Sequence, residues 1–370
     1  MPAPLKQSPL SCPGHSRPVV DIHFSDETDC GSLFVAVSKD GRAILRRGDT
    51  GDWIGTFLGH QGAVWSCNLD AHGTKVATGA ADFMAKIWDT SSGQELLSVT
   101  EDHIVRCLDL SKTDSGAHLI TANNMKKITV YDLAVPNSPI TILNAHDQFI
   151  RRTLWCNGDR HAITVSEDAN IYLWDFADRF RRPVAHTPIW SNQLDKPILD
   201  MQFLHPNESK ASNEVLVALV YGPNVQLSVY DWRRPDAPIS ADPSEPVRTF
   251  TLPCNLSSVS LHPTEDQLIC GGEDHYIYRL DRTTGEILET CKGHFGPVHC
   301  VRYAPEGRVF ASGSEDGTVR LWQNQVGEVF GLWQLSSPSQ PADLSHEAAV
   351  AAANEAAAAI SAPILNSTCV

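Results

Sequence analysis

The chain has 370 residues, too many for one small core and suited to two ordinary domains or one large repeat fold. Its 44 acidic residues against 29 lysines and arginines give a net charge of −15, which excludes a general basic surface for coating nucleic acid or an anionic membrane. A hydrophobic fraction of 42% and a charged fraction of 20% are typical of a folded soluble protein.

Membrane and secretion signals are weak. The longest clean apolar run, Val215 to Tyr221, is far shorter than the roughly 20 residues that cross a bilayer. The opening sequence MPAPLKQSPL has no basic segment followed by an apolar one, so we expect no secretory signal and a cytoplasmic protein that could also enter the nucleus. The ten cysteines form no CxxC pair, and we expect reduced, buried thiols, as at Cys67, Cys107, Cys270 and Cys300.

Seven similar segments follow one another along the chain when they are aligned on ASGSEDGTVRLW at Ala311 to Trp322. An acidic turn residue recurs at intervals of about 42 to 56 residues. It is Asp40, Asp82, Asp168, Asp274 and Asp316, with Met125 and Asn224 in the other two copies. Six residues later stand Arg46, Trp88, Tyr131, Trp174, Tyr230, Leu280 and Trp322, and Asp follows five of these. A Gly-His pair precedes the first, second and last copies, and Ala145-His146 precedes the fourth.

These marks resemble the WD40 repeat of β-propellers. Each copy reads as four short strands, for example Val298 to Tyr303, Val309 to Ser314 and Thr318 to Trp322 in the last one. The predicted fold is therefore all-β, a seven-bladed WD40 β-propeller over residues 1–335. We expect a strand between Gln7 and Cys12 to complete the seventh blade and close the ring.

The remaining segments are expected to lie outside the regular blades. Gly327 to Leu335 reads as a surplus strand or plug, and residues 336–370 as a flexible Ala-rich tail with a marginal helix at 346–360. Two long surface loops are expected at Pro206 to Asn213 and Trp232 to Pro246.

A quartet of His, Ser or Thr, Asp and Trp recurs at fixed spacing in three copies. A hydrolase triad is one interpretation of His, hydroxyl and Asp, but a catalytic site does not repeat three times. We predict structural hydrogen-bonded tetrads instead. Their members are His60, Thr78, Asp82 and Trp88; His146, Thr164, Asp168 and Trp174; and His294, Ser312, Asp316 and Trp322.

The other copies break this pattern. The third, fifth and sixth are expected to depend more on apolar packing, and Arg46-Arg47 of the first is a candidate surface contact or a solvated pair. The sequence has no HExxH, GxxxxGK[ST], GxSxG or GxGxxG, and no histidine cluster with zinc spacing. We therefore predict no enzyme activity, no metal, no cofactor and no small-molecule substrate.

Binding is expected on the narrow rim where the inner strands begin, because loops on a rigid scaffold carry function. Candidate partner contacts there, with packing across the channel as the alternative, are Trp65, Arg151, Arg152, Phe295 and His299. Glu167, Glu273 and Glu315 precede the turn acids and predict an acidic sector suited to a basic partner.

Longer segments of the sequence indicate which family of WD40 proteins the chain resembles. Ser8 to Ser25, Gly48 to Trp65, Ala77 to Asp89 and Gly293 to Gln323, with GLW at Gly331 to Trp333, resemble the serine/threonine kinase receptor-associated (unr-interacting) protein family. The Ala-rich tail departs from the more acidic tail of that family, so nothing is carried over there.

The resemblance implies a scaffold of the survival-of-motor-neuron complex, which loads Sm proteins onto spliceosomal small nuclear RNA, and in animals an adaptor of transforming-growth-factor-β receptor signalling. Expected partners are Gemin-type proteins, with RNA contacted indirectly or weakly and no membrane insertion. One alternative is subunit i of translation initiation factor 3, whose second and last blades are similar. Another is a cullin-ligase substrate receptor, because Tyr230 to Arg233 resembles a WDxR motif.

Overall fold

The computed structural model describes residues 7–28, 31–112, 116–135, 139–156, 158–176, 188, 190–194, 196–204, 214–231 and 248–325. The expected loops at 206–213 and 232–246, the segment at 327–335 and the tail at 336–370 lie outside these residues. The cullin motif at 230–233 does too, apart from the strand backbone of Tyr230 and Asp231.

Twenty-eight strands make up the regular structure of the described residues, and no helix occurs among them. The first half of the chain holds β1 Leu10–Cys12, β2 Val19–Phe24, β3 Leu33–Ser38, β4 Ala43–Arg47, β5 Trp53–Phe57, β6 Val64–Leu69, β7 Lys75–Ala80, β8 Met84–Asp89, β9 Glu95–Thr100, β10 Val105–Leu110, β11 His118–Asn123, β12 Lys127–Asp132, β13 Pro139–Asn144 and β14 Ile150–Cys156. The second half holds β15 His161–Ser166, β16 Asn170–Asp175, β17 Trp190–Gln193, β18 Asp200–Leu204, β19 Glu214–Tyr221, β20 Asn224–Asp231, β21 Arg248–Thr251, β22 Leu256–Leu261, β23 Gln267–Gly272, β24 Tyr276–Asp281, β25 Ile287–Lys292, β26 Val298–Tyr303, β27 Val309–Ser314 and β28 Val319–Gln323.

The strands form seven four-stranded antiparallel sheets, the blades, within the described part of the chain. Blades 1 to 6 are the consecutive quartets from β2–β5 to β22–β25, and blade 7 is β26–β28 with β1. The inner strands β2, β6, β10, β14, β18, β22 and β26 each contact the next, and β26 contacts β2. The molecule is therefore a closed seven-bladed β-propeller, as the repeat pattern predicts.

The core lies between neighbouring blades. At the junction of blades 7 and 1, for example, Val19, Ile22 and Phe34 pack with Cys300 and Ala311, all nearly inaccessible to solvent. The second strands of the blades, such as β7, β15 and β27, are buried at nearly every position because each blade is covered on both faces by its two neighbours. Burial of apolar surface drives this stacking. The cysteines predicted to be reduced and buried, Cys67, Cys107, Cys270 and Cys300, are buried free thiols.

The tight turns between second and third strands need a left-handed residue. Gly41 (φ 84°) and Gly317 (φ 77°) supply it in blades 1 and 7, where the Asp-Gly dipeptides predict hairpins. Phe83 takes the same position in blade 2 with φ 68°, a conformation that is unfavourable for a bulky side chain.

Blade 7 joins the two ends of the propeller. β1 pairs antiparallel with β28, with Leu10 opposite Leu321 and Cys12 opposite Val319. Gln7 adds hydrogen bonds in both directions with the backbone of Gln323. Because β1 supplies the outer strand of this sheet, the ring is held closed by strand pairing rather than by packing alone.

Removal of residues 1–12 is expected to lower the free energy of unfolding by roughly 3 kcal/mol or more, because β28 loses its hydrogen-bonded neighbour and the apolar contacts of Leu10 and Cys12. Urea denaturation followed by circular dichroism measures this change. Removal of residues 1–6 alone is the control, and equal stability of the two truncated chains would contradict a closing role for β1.

Candidate functional site

Three blades contain the complete predicted tetrad. In blade 2, His60 Nδ1 lies 2.8 Å from Asp82 Oδ2 and His60 Nε2 lies 2.7 Å from Thr78 Oγ1. Trp88 Nε1 donates to the same hydroxyl at 2.8 Å. The corresponding distances are 2.8–3.0 Å in blade 4, with His146, Thr164, Asp168 and Trp174, and 2.7–3.0 Å in blade 7, with His294, Ser312, Asp316 and Trp322.

The direction of these hydrogen bonds indicates that the tetrad has a structural role and not a catalytic one. His60 Nδ1–H donates to the carboxylate, so Nε2 accepts the proton of the Thr78 hydroxyl, whose oxygen accepts from Trp88. The hydroxyl is completely buried and fully used, which leaves it no route to a substrate. Burial lowers the pKa of the imidazole of His60 despite the nearby Asp82 carboxylate. The tetrad therefore ties the loop before the inner strand to the turn and the third strand.

Blade 1 departs from the prediction made for Arg46. His15 Nδ1 contacts Asp40 Oδ2 at 3.0 Å, but Ala36 stands where the hydroxyl belongs. Arg46, predicted as a surface contact or a solvated pair, is buried, and its guanidinium donates to the carbonyls of Gly51 and Pro13. That prediction is wrong for Arg46, because its long side chain occupies the buried position of the tryptophan of the other blades.

Blade 3 has a polar network that the spacing of the tetrads does not predict. Glu101 is buried and accepts hydrogen bonds from Thr121 Oγ1 at 2.6 Å, Tyr131 Oη at 3.0 Å and Asn123 Nδ2 at 3.2 Å. Burial raises the pKa of Tyr131 above its ordinary value, and the Glu101 carboxylate adds to the shift. The expectation that this blade depends on apolar packing is therefore wrong. Thr121 and Tyr131 at the hydroxyl and tryptophan positions were the signal that a network remained.

Backbone hydrogen bonds bring the two predicted groups of rim residues together. In six blades, the N–H of the residue before the turn-acid position, which Met125 occupies in blade 3, donates to the carbonyl of the residue just before the inner strand. The pairs are Lys39 with Pro18, Ala81 with Ala63, Asn124 with Ile104, Glu167 with Phe149, Glu273 with Asn255, and Glu315 with Pro297. The starts of the inner strands and the acid turns thus form one continuous rim at one end of the channel.

A β-bulge repeats at the start of six inner strands. The pairing register shifts there by one residue, and the extra residue is Val20, Trp65, Arg106, Arg151, Ser257 or His299. All six line one cavity of ≈290 Å³ at the channel mouth. Because a bulge turns a side chain out of the sheet, this repeat presents one residue per blade to the opening. Arg106 and Ser257 were missed because their blades lack the histidine from which the position was counted.

Two cationic side chains, Arg106 and Lys39, lie over the indole ring of Trp65. The Arg106 guanidinium carbon is 4.0 Å from the centroid of the indole ring, and Lys39 Nζ is 5.7 Å from it. Cations over an indole face are attracted by its quadrupole. Burial lowers the pKa of Arg106, and the positive charge of Arg151 acts in the same direction.

The predicted acidic sector carries less free charge than expected. Glu167 pairs with Arg151 at 2.5 Å, and Glu315 pairs with His299 at 2.6 Å and with Lys39 at 3.6 Å. Only Glu273 meets no cation within 4 Å among the described residues; it accepts from Asn255 Nδ2 at 3.2 Å. The prediction of an open acidic surface for a basic partner is therefore not supported at Glu167 and Glu315, because rim cations neutralise both.

Arg152 belongs to the channel and not to the rim. Its Nε lies 2.6 Å from Asp200 Oδ1 and its Nη1 lies 3.0 Å from Asp21 Oδ1. Arg302 Nη1 contacts Asp200 Oδ2 at 3.1 Å from another side. Burial alone would raise the pKa of Asp200, but the two guanidinium groups hold it below its usual value. These four side chains, which we call the channel cluster, connect blades 1, 4, 5 and 7.

Large apolar side chains stand exposed on the rim. Phe295, a predicted contact, is 84% exposed in the loop before the inner strand of blade 7. Met125 is 63% exposed in the turn of blade 3, and Phe149 and Phe83 are about half as exposed as Phe295, at 43% and 41%. Phe83 stacks on His103 with ring centroids 5.1 Å apart. Exposed aromatic groups around a polar opening are typical of protein-docking surfaces.

Metal binding and membrane insertion were also considered for the described residues. No group of three or more His, Cys, Asp and Glu among them could hold a metal ion. None of the residues that the structure describes belongs to a helix that could span a bilayer.

Comparison with known proteins agrees with this architecture. The WD domain, G-beta repeat model matches residues 51–89, 137–175 and 285–323, which end at the Trp-Asp of blades 2 and 4 and at Trp322-Gln323 of blade 7. The fold and the repeats define a WD40-repeat β-propeller, a class of interaction scaffold.

Particular relatives extend over almost all of the chain. The serine-threonine kinase receptor-associated protein of Mus musculus is 41% identical over 91% of this chain and 88% of its own length. That of Dictyostelium discoideum is 36% identical over 86% of this chain and 99% of its own. Subunit I of eukaryotic translation initiation factor 3 from Drosophila melanogaster is 25% identical over 85% of this chain. The chain belongs to the serine-threonine kinase receptor-associated protein family.

Neighbouring arginines of β14 should differ sharply in their effect on stability. Arg152→Met is expected to lower the free energy of unfolding by about 3–5 kcal/mol, because it leaves Asp21 and Asp200 buried with less compensating charge. Arg151→Met is the matched control on the same strand, with an expected loss below about 1 kcal/mol for a partly exposed pair. Urea denaturation measures both, and similar losses would contradict the separate roles.

The tetrad of blade 7 should make stability depend on pH. Burial lowers the pKa of His294 to about 4, whereas an unfolded histidine has a pKa near 6.5. The unfolded chain therefore binds a proton that the folded chain does not, and stability falls as the pH decreases from about 6.5 towards 4.

His294→Gln removes this proton, so the stability difference between the native chain and the variant should shrink by roughly 1–3 kcal/mol between pH 7 and pH 4.5. Denaturation curves at several pH values measure it, with His72→Gln at the exposed surface as the control for loss of a histidine. Parallel pH dependence of the native chain and His294→Gln would refute the assignment.

Proposed function

We propose that this protein is a non-catalytic scaffold in a survival-of-motor-neuron-type complex, where it assists the loading of Sm proteins onto small nuclear RNA. The observation that carries the proposal is family membership along the whole propeller, 41% identity over 91% of the chain. The resemblance of the first two blades and the last blade to this family supports the same assignment.

The rim is the proposed docking surface, with Gemin-type proteins as partners. Phe295 supplies an exposed aromatic contact, and Trp65, Arg151 and His299 face the channel mouth. Aromatic residues and arginine are the residue types that most often dominate binding energy. Arg152, by contrast, acts below the rim and shapes the surface through the channel cluster.

RNA association is proposed to be indirect or weak, because the net charge of −15 opposes a broad phosphate contact. A cytoplasmic protein that also enters the nucleus fits this role. An adaptor role in receptor signalling is what the names of the relatives suggest, and it applies only where such a receptor pathway exists.

Subunit i of initiation factor 3 is the second candidate, and it is favoured only by a 25% identity. The much higher identity to the receptor-associated proteins argues against it. The cullin-receptor alternative depends on the motif at residues 230–233, where Tyr replaces Trp.

Affinity purification of the tagged full-length chain with quantitative mass spectrometry tests the proposal. Gemin-type and Sm proteins are expected in the purified fraction. Enrichment of initiation-factor subunits or of a cullin adaptor in their place would overturn it.

A matched pair of variants tests the rim as the docking surface. Phe295→Ser is expected to lower recovery of these partners at least about fivefold, because a central aromatic contact is lost. Leu288→Ser removes a 45% exposed apolar side chain from the outer strand β25 and should leave recovery unchanged. Equal losses in both variants, at equal thermal stability, would contradict a docking role for the rim.

A further inference from the structure

The channel mouth holds hydrogen-bond donors that the protein itself does not satisfy. Trp65 Nε1 and Arg151 Nε are buried atoms without a hydrogen-bond partner. No carboxylate lies within 4 Å of Arg106 among the described residues, although Lys39 and Arg151 beside it are both paired with glutamates. Buried donors without acceptors are unfavourable, so a partner that brings an acceptor to this cavity gains a hydrogen bond that the protein alone does not make.

The charge on this wall opposes that of the whole protein. Lys39, Arg106, Arg151 and Arg152 all line the cavity, against the single carboxylate of Glu273 on the far side in blade 6. The charge of Arg152 is compensated by the two aspartates of the channel cluster, and Lys39 and Arg151 each have one ion pair. Of these four cations, Arg106 is therefore the one whose charge remains available to a partner, and its stack on Trp65 holds the guanidinium in a fixed orientation.

The size of the opening favours a side chain over a free small molecule. Its ≈290 Å³ lies at the lower limit of the roughly 300–1,000 Å³ typical of ligand pockets, and its walls are mixed polar and charged. An acidic side chain placed there could accept from the Arg106 guanidinium and the Trp65 indole N–H together. Charge-assisted hydrogen bonds of this kind are among the strongest that proteins make.

Apolar groups surround the same sector. Phe83, Met125 and Phe149 are exposed on the turns and loops of blades 2 to 4, the blades that supply Trp65, Arg106 and Arg151. The surroundings match a peptide with apolar residues on either side of its charge.

We propose that the channel mouth on blades 2 to 4 receives an Asp or Glu side chain from an apolar-flanked peptide segment of a partner protein, with Arg106 and Trp65 as the recognising residues. This inference rests on the proposed function, because it takes the rim to be a docking surface. It assigns that surface an acidic partner segment rather than a basic one.

The test uses the full-length chain and a capped tripeptide, acetyl-Phe-Glu-Phe-amide, with its Gln and Lys counterparts as probes. The readout is the indole N–H resonance of Trp65 in a ¹H–¹⁵N TROSY spectrum, assigned by its loss in Trp65→Phe. We expect a saturable downfield shift with the Glu peptide and an affinity about tenfold weaker with the Gln peptide. The shift should also weaken as salt is raised.

Arg106→Gln should weaken binding of the Glu peptide about tenfold. Arg160→Gln removes the same charge from the exposed loop between β14 and β15, at the other end of blade 4 from the rim, and is the matched control, with affinity unchanged. Equal affinity for the Glu and Gln peptides, or full binding by Arg106→Gln, would overturn the proposal. Tighter binding of the Lys peptide would assign the site to a basic side chain opposite Glu273.

The two proposals fail in different ways. If Gemin-type and Sm proteins are absent from the purified fraction but the Glu peptide still shifts Trp65, the acidic-segment site stands and the complex assignment falls. If those partners are recovered and the Glu and Gln peptides bind equally, the complex assignment stands and only the site is lost.

Discussion

The ion pairs of Arg152 are the interaction on which the rest of the structure depends. A ring of seven wedges has to bring its inner strands together around an axis, where carboxylates and guanidinium groups have little water. Arg152 reaches Asp21 of blade 1 and Asp200 of blade 5, and Arg302 of blade 7 completes the arrangement. Attraction between opposite charges is strong in such surroundings, but it offsets their desolvation only when the geometry is good. The channel cluster thus fixes the relative positions of four blades.

The rim follows from the same arrangement. Immediately before Arg152, the bulge at Arg151 turns one side chain away from the channel cluster and towards the opening. Successive residues of one strand therefore have opposite tasks, one internal and one external. Because the bulge repeats in six blades, six side chains surround the same opening. The rigid propeller holds them in fixed positions relative to one another.

The repeat itself could be read from the sequence because each tetrad uses residue types that have few substitutes. A buried His, hydroxyl and Asp must all be satisfied, so their spacing is strict, and the seven-bladed architecture follows from counting. The predictions from sequence are wrong in the blades where one residue of the tetrad is replaced by another type. Arg46 and Glu101 keep the connection with a different chemistry, which spacing alone does not reveal. Pairing of Glu167 and Glu315 with cations of other segments was equally hidden, because it depends on which blades become neighbours.

The pairing of β1 with β28 has a consequence for biosynthesis. A ribosome that adds about 5–20 residues per second needs on the order of tens of seconds to pass from Leu10 to its partner Leu321. During that time the first strand emerges without its sheet, and the nascent molecule is an open arc with two unpaired ends. Such an arc exposes unpaired strand edges that favour association with other chains, and this exposure lasts until β28 is made and pairs with β1.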